Sequence, residues 1–396
     1  MPPTNIAAWL SKKYTYPLEI GPAPYTQPKA GEIVVRNAAV AINHIDWIKQ
    51  QAGNAILSHI KYPCILGGDV AGYVAEVGPG VERFRVGDRV IGKAAAALRS
   101  SNNTAEGAFQ HYTVIREHLA FVIPDQMPYE EAVVLPSALV TAATGLFHQD
   151  YLALDPPTVP ATPSNGKAII IAGGASSVGG TAIQLAIAAG YQVYSTSSRM
   201  SSPRVEYLGA TRVFDYRSST LVDDMVTALQ GKTVVGAFVV GDGATEACTE
   251  VLRRCGKDAN KFIAFAGSIM SHDAFDTSLN RALMYSYTIW WFAQRALVSC
   301  FQGVRTKFID AEDIAQADNV VSQVVFRDFL PKALAARQFV PAVEPFVGGE
   351  GLDRIQVAMD RQSRGVSAEK LVMLLPPEDT TMVDIDTIDF TTIPLR

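Results

Sequence analysis

The segment IIIAGGASSVGG (169–180) joins an apolar run, a glycine-rich turn and the start of a small-residue helix. A turn of this kind at a helix N-terminus offers backbone N–H groups and the positive end of the helix dipole to a pyrophosphate. Gly174, Ser177 and Gly179 stand where the glycines of a GxGxxG would stand with the middle one relaxed. Ser176 and Ser177 can add hydroxyl donors, and the Val178 amide lies between Ser177 and Gly179. A merely structural turn is the alternative. Dinucleotide binding is the better reading because this turn opens the first of several strand–helix units. The end of the next strand bears on which dinucleotide. An acid there would hold a ribose 2′-hydroxyl, but YSTSSRM (194–200) has none. Ser197, Ser198 and Arg199 suit a 2′-phosphate, so NADPH is the expected cofactor, with Tyr216 and Arg217 flanking the adenine and phosphate. A solvated surface charge is the alternative for Arg199.

A second stretch, ILGGDVAGYVAEVGPG (65–80), leads two glycines into the acid Asp69 with no His or Cys beside it. Asp69 is expected to brace the turn or to bond a neighbouring backbone amide. Around it, residues 1 to about 125 read as short strands punctuated by Gly and Pro, a mainly antiparallel β domain. From 167 the period changes. KAIIIAG, QVYSTSS, TRVFDY, GAFVVGDG and KFIAFAG alternate with helical stretches about every 25 residues. That pattern predicts an α/β fold with a doubly wound parallel sheet of Rossmann type, its strands apolar throughout because helices cover both faces. After 315 come a helix (DFLPKALAARQ), strand-like FVPAVEPFV, a helix (GLDRIQVAMDRQSRG) and a last strand (EKLVMLLP). The expected division is 1–137 for the β-rich domain, 138–314 for the nucleotide domain, 315–376 for a segment returning to the first domain, and 377–396 for a tail. The tail alternates apolar with acidic or Thr residues and reads equally as an edge strand or as disorder.

The 396 residues, 48% hydrophobic and 18% charged with a net charge of −5, describe a folded globular chain. The net charge and the lack of a block of like charges do not suggest a surface for nucleic acid or an anionic membrane, and leave a local basic patch open. Cys64, Cys248, Cys255 and Cys300 form no CxxC pair and read as free thiols. The charge-free run 168–198 is long enough for a membrane helix, but Gly173, Gly174, Gly179, Gly180 and Gly190 break it into strand, turn and helix. The N-terminus has no apolar core of signal-peptide length, so a cytoplasmic location is expected.

AAVAINHIDW, LGGDVAGYVAEVGPGVERFRVGDRVIG, GAFQHYTVI, IAGGASSVGGTAIQLA, LGATRVFDY and VSAEKLV together resemble the medium-chain dehydrogenase/reductase superfamily over nearly the whole chain. The resemblance implies a GroES-like catalytic domain beside the Rossmann domain. Zinc members of that superfamily carry a Cys where this chain has Asn43, a His in a Gly-His-Glu where it has Gly67-Gly68-Asp69, and a Cys near the domain crossover, where VVLPSALVTAATGL has none. His44 alone cannot supply the three protein ligands of a catalytic zinc, so no metal is expected. A packed or hydrogen-bonded side chain is its expected role.

The metal-free branch resembles quinone and enoyl reductases, and SALVTAATGL, VSAEKLV and the Pro-rich insert before KAIIIAGG resemble the stand-alone enoyl reductases that assist fungal polyketide synthases. Where those relatives read Asn-Pro, this chain reads Asn43-His44. The resemblance implies reduction of a conjugated C=C by NADPH. Asn43 would be catalytic, with Asp46 and Trp47 beside it on the nicotinamide floor. Thr141 would place a hydroxyl near the substrate carbonyl or the nicotinamide amide, or else would bond its own helix backbone. Ser137 and the aromatic strand YTIWW, with Tyr287, Trp290 and Trp291, would line the substrate pocket; a dimer sheet edge is the equal alternative for YTIWW. Val366, Ser367 and Lys370 would close on the cofactor. A polyketide synthase is the implied partner, and monomer and homodimer both stay open. Two other functions compete: a quinone or small-enone reductase, and a catalytically silent NADPH-binding scaffold.

Overall fold

The computed structural model describes residues 3–267 and 278–376. The tail expected at 377–396 lies outside them. The first strands are β1 (Asn5–Leu10), β2 (Glu19–Ala23), β3 (Glu32–Ala41), β4 (Cys64–Ile65), β5 (Asp69–Val77), β6 (Arg89–Lys93), β7 (Tyr112–Arg116) and β8 (Ala120–Val122). Three helices accompany them: α1 (His44–Ala52), α2 (Tyr129–Ala132) and α3 (Pro136–Phe147). β1 to β8 pair antiparallel, in the small sheet β2–β1–β4 and along β3–β5–β6–β8, with β7 on β3. Ala41 faces Asp69 across β3–β5, and Asp69 faces Lys93 across β5–β6. One row of the sheet therefore carries an acid and a base to the same end, because directly opposed residues project to one face.

The next elements are β9 (Lys167–Ala172), α4 (Ser177–Ala188), β10 (Gln192–Ser197), α5 (Ser202–Tyr207), β11 (Arg212–Asp215), α6 (Leu221–Leu229), β12 (Thr233–Val240), α7 (Thr245–Arg254), β13 (Phe262–Ala266), α8 (Ser278–Gln302) and β14 (Arg305–Phe308). Their sheet is parallel, in the order β11–β10–β9–β12–β13–β14. The order reverses beside β9, and in such sheets a ligand binds at the carboxyl ends of the strands where the reversal falls. Ile169, Ile170 and Ile171 of β9 are all fully buried, as a strand covered on both faces requires. The charge-free run resolves into β9, the turn, α4 and β10, as its glycines indicate. Finally β15 (Glu344–Glu350) and β16 (Glu369–Leu374) return, and β16 pairs with β3. Lys370 is thereby delivered from the far end of the chain to the sheet that carries Asp69. All four cysteines are free thiols.

The expected aromatic strand at 287–291 is not a strand. These residues lie inside the 25-residue helix α8. Met284 and Thr288 are half-buried and Trp291 and Arg295 are buried, a spacing of four, three and four that marks one helical face. Trp291 packs on Phe265 of β13 at a centroid distance of 5.0 Å. The helix formers around the aromatic cluster override its local β preference. The strand at the edge of the parallel sheet is β14, not this segment.

Candidate active site

Asn43, Asp69, Ser137 and Lys370, brought from four parts of the sequence, meet in one corner. β3 ends at Ala41, and Asn43 caps α1 in extended conformation (φ −116°, ψ 159°). Gly67, with φ +92°, makes the turn that leads into β5, where Asp69 is fully buried. α3 begins at Pro136, which suits the first helical turn. Its next residue, Ser137, gives Asp69 Oδ1 two hydrogen bonds, from its amide (2.8 Å) and its hydroxyl (2.5 Å). Asn43 Nδ2 donates to Asp69 Oδ2 (2.9 Å). Lys370 Nζ donates to Asn43 Oδ1 (2.5 Å) and forms an ion pair with Asp69 Oδ2 (3.3 Å). Asp69 therefore bonds a backbone amide, as expected, and also holds this corner together.

Lys93, which the sequence did not single out, completes the arrangement. Its Nζ donates to Ser137 Oγ (3.0 Å). A side chain begun at Gly68 would collide with that ammonium. The surrounding protein desolvates Lys93 and lowers its pKa, against the attraction of Asp69 and Asp46. Among the described residues no cluster of three His, Cys, Asp or Glu side chains is placed to hold a metal ion.

Several expected roles are corrected. Asp46 has almost no surface to offer a nicotinamide floor. It is buried, and its carboxylate accepts the Asn43 amide (2.7 Å) and the Gly67 amide (3.2 Å), which ties α1 to the turn before β5. Burial pushes its pKa up to about 6, although the Asn43 bond and Lys93 favour the ionised form. Trp47 is 2% exposed and belongs to the hydrophobic core. Thr141 spends its hydroxyl proton on the Ser137 carbonyl (2.9 Å), the helix-backbone bond that was the alternative, so it offers a neighbour only lone pairs. Trp291 is core, while Tyr287 and Trp290 are 40% and 55% exposed on α8. His44 Nδ1 meets Gln362 Nε2 at 3.0 Å, a hydrogen-bonded side chain as expected. Val366 is half-buried and Ser367 exposed in the turn before β16.

The glycine turn has the form a pyrophosphate cradle needs. Gly173 has φ +82°, and a Cβ on Gly174 would strike Ser195 Oγ while one on Gly179 would strike the Gly173 carbonyl. α4 can therefore sit close on the sheet with its N-terminus at the ends of the strands. Ser176 is not a spare donor, because its hydroxyl donates to the Gly173 carbonyl (2.7 Å) and accepts from the Gly179 amide (3.0 Å) as the N-cap. Ser176 O also takes the Gly180 amide (2.9 Å), which leaves the amides of Ser177 and Val178 for a ligand. Ser177 Oγ lies 3.5 Å from the Val134 carbonyl, just ahead of α3, so cradle and corner adjoin.

At the end of β10, Ser197 is 2% exposed and its hydroxyl is held within the turn by the Ser198 carbonyl and Ser202 Oγ. Ser198 Oγ donates to Ser201 Oγ (3.1 Å). Arg199 reaches Asp215 Oδ2 (3.0 Å) with its side chain 89% exposed, and Arg217 lies over the half-exposed ring of Tyr216 (5.0 Å). Asp215, at the end of the following strand, is the acid that the second-strand rule did not consider.

A glycine turn at a helix N-terminus adjoins a polar corner, in a parallel sheet joined to an antiparallel β domain, and comparison with known proteins makes the chain an oxidoreductase. The profile of the alcohol dehydrogenase GroES-like domain matches residues 29–125. The chain is 44% identical to dehydrogenase pigH of Monascus ruber, over 94% of this chain and all of that protein. It is 36% identical to trans-enoyl reductase himH of Aspergillus japonicus, over 93% of this chain and 97% of that one. The crystal structure of CurK enoyl reductase superposes with a TM-score of 0.66 at 19% identity, covering 94% and 99% of the two chains. The chain belongs to the medium-chain dehydrogenase/reductase superfamily.

Proposed function

We propose that this protein is an NADPH-dependent, metal-independent enoyl reductase that reduces a C=C conjugated to a carbonyl, acting in trans on intermediates of a polyketide synthase. The observation that carries the reading is the corner at Asp69. Two positions that hold zinc ligands in the zinc members are Asn43 and Gly68 here, the crossover stretch has no Cys, and the ammonium of Lys93 stands at Gly68 against Ser137. A cation added there would meet that charge and two neutral side chains in place of thiolates and imidazole. The name of himH, a trans-enoyl reductase, supports the substrate class and action in trans.

The cradle at 173–180 fits a pyrophosphate, with the Ser177 and Val178 amides as donors. Ser198 and Arg199 fit a 2′-phosphate, and Tyr216 with Arg217 an adenine. When bound, the nicotinamide supplies the hydride that goes to the β-carbon. The chain's own residues must then hold the carbonyl oxygen as negative charge grows on it, while water supplies the proton for the α-carbon. Asn43 and Lys370 are fixed by Asp69, so the wall of this site is set before substrate arrives. The divisions 1–137, 138–314 and 315–376 follow from the same assignment.

The test is NADPH oxidation by metal-stripped protein with an enoyl thioester on a carrier or a pantetheine arm, alongside a quinone. Turnover of the thioester that survives chelation is expected. Activity that returns only with added zinc, or turnover confined to quinones, overturns the proposal.

A further inference from the structure

The corner contains two lysines in unlike situations. Lys370 is 8% exposed and satisfied directly by the Asp69 carboxylate and the Asn43 carbonyl oxygen. Lys93 is partly exposed, and its Nζ makes one hydrogen bond among the described residues, to the neutral Ser137 hydroxyl. That hydroxyl in turn donates to Asp69. The Lys93 ammonium thus reaches its nearest carboxylate through an intermediary, and two of its three N–H donors stay uncommitted. The absence of a side chain at position 68 leaves the space in which it stands, and β6 sets its Cα directly opposite Asp69.

We propose that Lys93 is a catalytic residue whose ammonium receives the carbonyl oxygen of the substrate, as a fixed cation built into the corner. This rests on the enoyl reductase reading for its choice of substrate. As hydride bonds to the β-carbon, the C=C π pair moves to form a Cα=C bond and the C=O π pair moves onto oxygen. The enolate oxygen is held by a Lys93 N–H, and a proton from water then goes to the α-carbon as the C=O re-forms. One hydride and one proton are added, and the nicotinamide leaves oxidised. Desolvation strengthens the donor, since a cation partly removed from water interacts more strongly with a developing oxyanion.

The test compares wild type, Lys93→Met and Gly68→Ala with an enoyl thioester, a small enone and a quinone, each of which gains charge on a carbonyl oxygen. Lys93→Met keeps the unbranched stem, one atom shorter, and removes the charge. Gly68→Ala keeps the charge and displaces it. NADPH affinity by fluorescence titration and the unfolding midpoint establish that both variants fold and bind nucleotide. The expected result is a fall in kcat on the order of 10²–10³-fold for Lys93→Met, the usual loss for one oxyanion donor. Gly68→Ala should lose at least about tenfold, and the double variant should be no worse than Lys93→Met alone. With 4-deuterated NADPH, the isotope effect on kcat should rise in Lys93→Met, which a merely structural role would not produce.

A folded, NADPH-binding Lys93→Met within about threefold of wild type on every substrate that wild type reduces overturns the role of Lys93. If wild type reduces quinones alone, the enoyl reading falls and the quinone rates still score Lys93. If wild type reduces none of the three, both fall.

Discussion

Replacing Asp69 by Asn removes one charge with almost no change of shape, so the contacts of the carboxylate determine the cost. It receives four of them: the Ser137 amide and hydroxyl on Oδ1, and Asn43 Nδ2 and Lys370 Nζ on Oδ2. An amide can keep the first pair only by turning its NH2 toward the second, where both partners are donors. Turning Asn43 over moves the conflict, because its Oδ1 is already the acceptor for Lys370. Two charge-assisted hydrogen bonds are lost in either orientation, at about 1.5–3 kcal/mol each, and the buried Lys370 ammonium is left without its counter-charge. Breaking one side of a buried pair costs about 3–5 kcal/mol, and that is the destabilisation expected for Asp69→Asn. It would be a large share of the 5–15 kcal/mol, roughly, that holds a typical native protein folded. The assay is urea unfolding of wild type, Asp69→Asn, Lys370→Met and the double variant. Coupling of about 2 kcal/mol or more between the two positions is expected, because removing both charges leaves no orphan. A loss below about 1 kcal/mol for Asp69→Asn, or plain additivity in the cycle, would refute the view that this carboxylate organises the corner.

Three further outcomes rest on other parts of the structure. Arg199→Ala should weaken NADPH about tenfold and leave NADH unchanged in fluorescence titrations; the figure is modest because the guanidinium is exposed and already paired with Asp215. Gly179→Ala should raise the NADPH Kd by at least about tenfold and destabilise the fold by about 1–3 kcal/mol in urea, since its Cβ would strike the Gly173 carbonyl. Asp46 holds its proton up to about pH 6 in the folded state, against an ordinary value of 3.8. Its favourable contribution is therefore complete only well below pH 4 and is lost as pH rises through 6, so urea unfolding from pH 4 to 7 should cost wild type about 2 kcal/mol more than Asp46→Asn.

The nucleotide half was legible in the sequence because its signals are local. A glycine turn between an apolar strand and a small-residue helix has one structural meaning in the context of repeating strand–helix units, and β9 to α4 bears it out. The 287–291 segment failed for the same reason in reverse: five residues of β character said nothing of the twenty around them, and burial at 284, 288, 291 and 295 is the helical signal a longer window would have caught. The hydroxyl of Ser176 was counted as a spare donor, and that of Thr141 was left between a ligand and its own helix, because sequence does not show which acceptor is nearest.

Lys93 was missed for a deeper reason. A lysine that ends an apolar strand looks like a solvated strand terminus, and nothing within several residues of it contradicts that. Its meaning comes from register, since β6 lies against β5 so that Lys93 opposes Asp69, and from an absence, the missing side chain at Gly68. The same glycine that removes a metal ligand from the sequence opens the volume that an ammonium then fills. One position thus both lacks a ligand side chain and leaves the ammonium its room. On the role proposed for Lys93, the corner offers a carbonyl oxygen a positive charge carried by a group that chelation cannot remove.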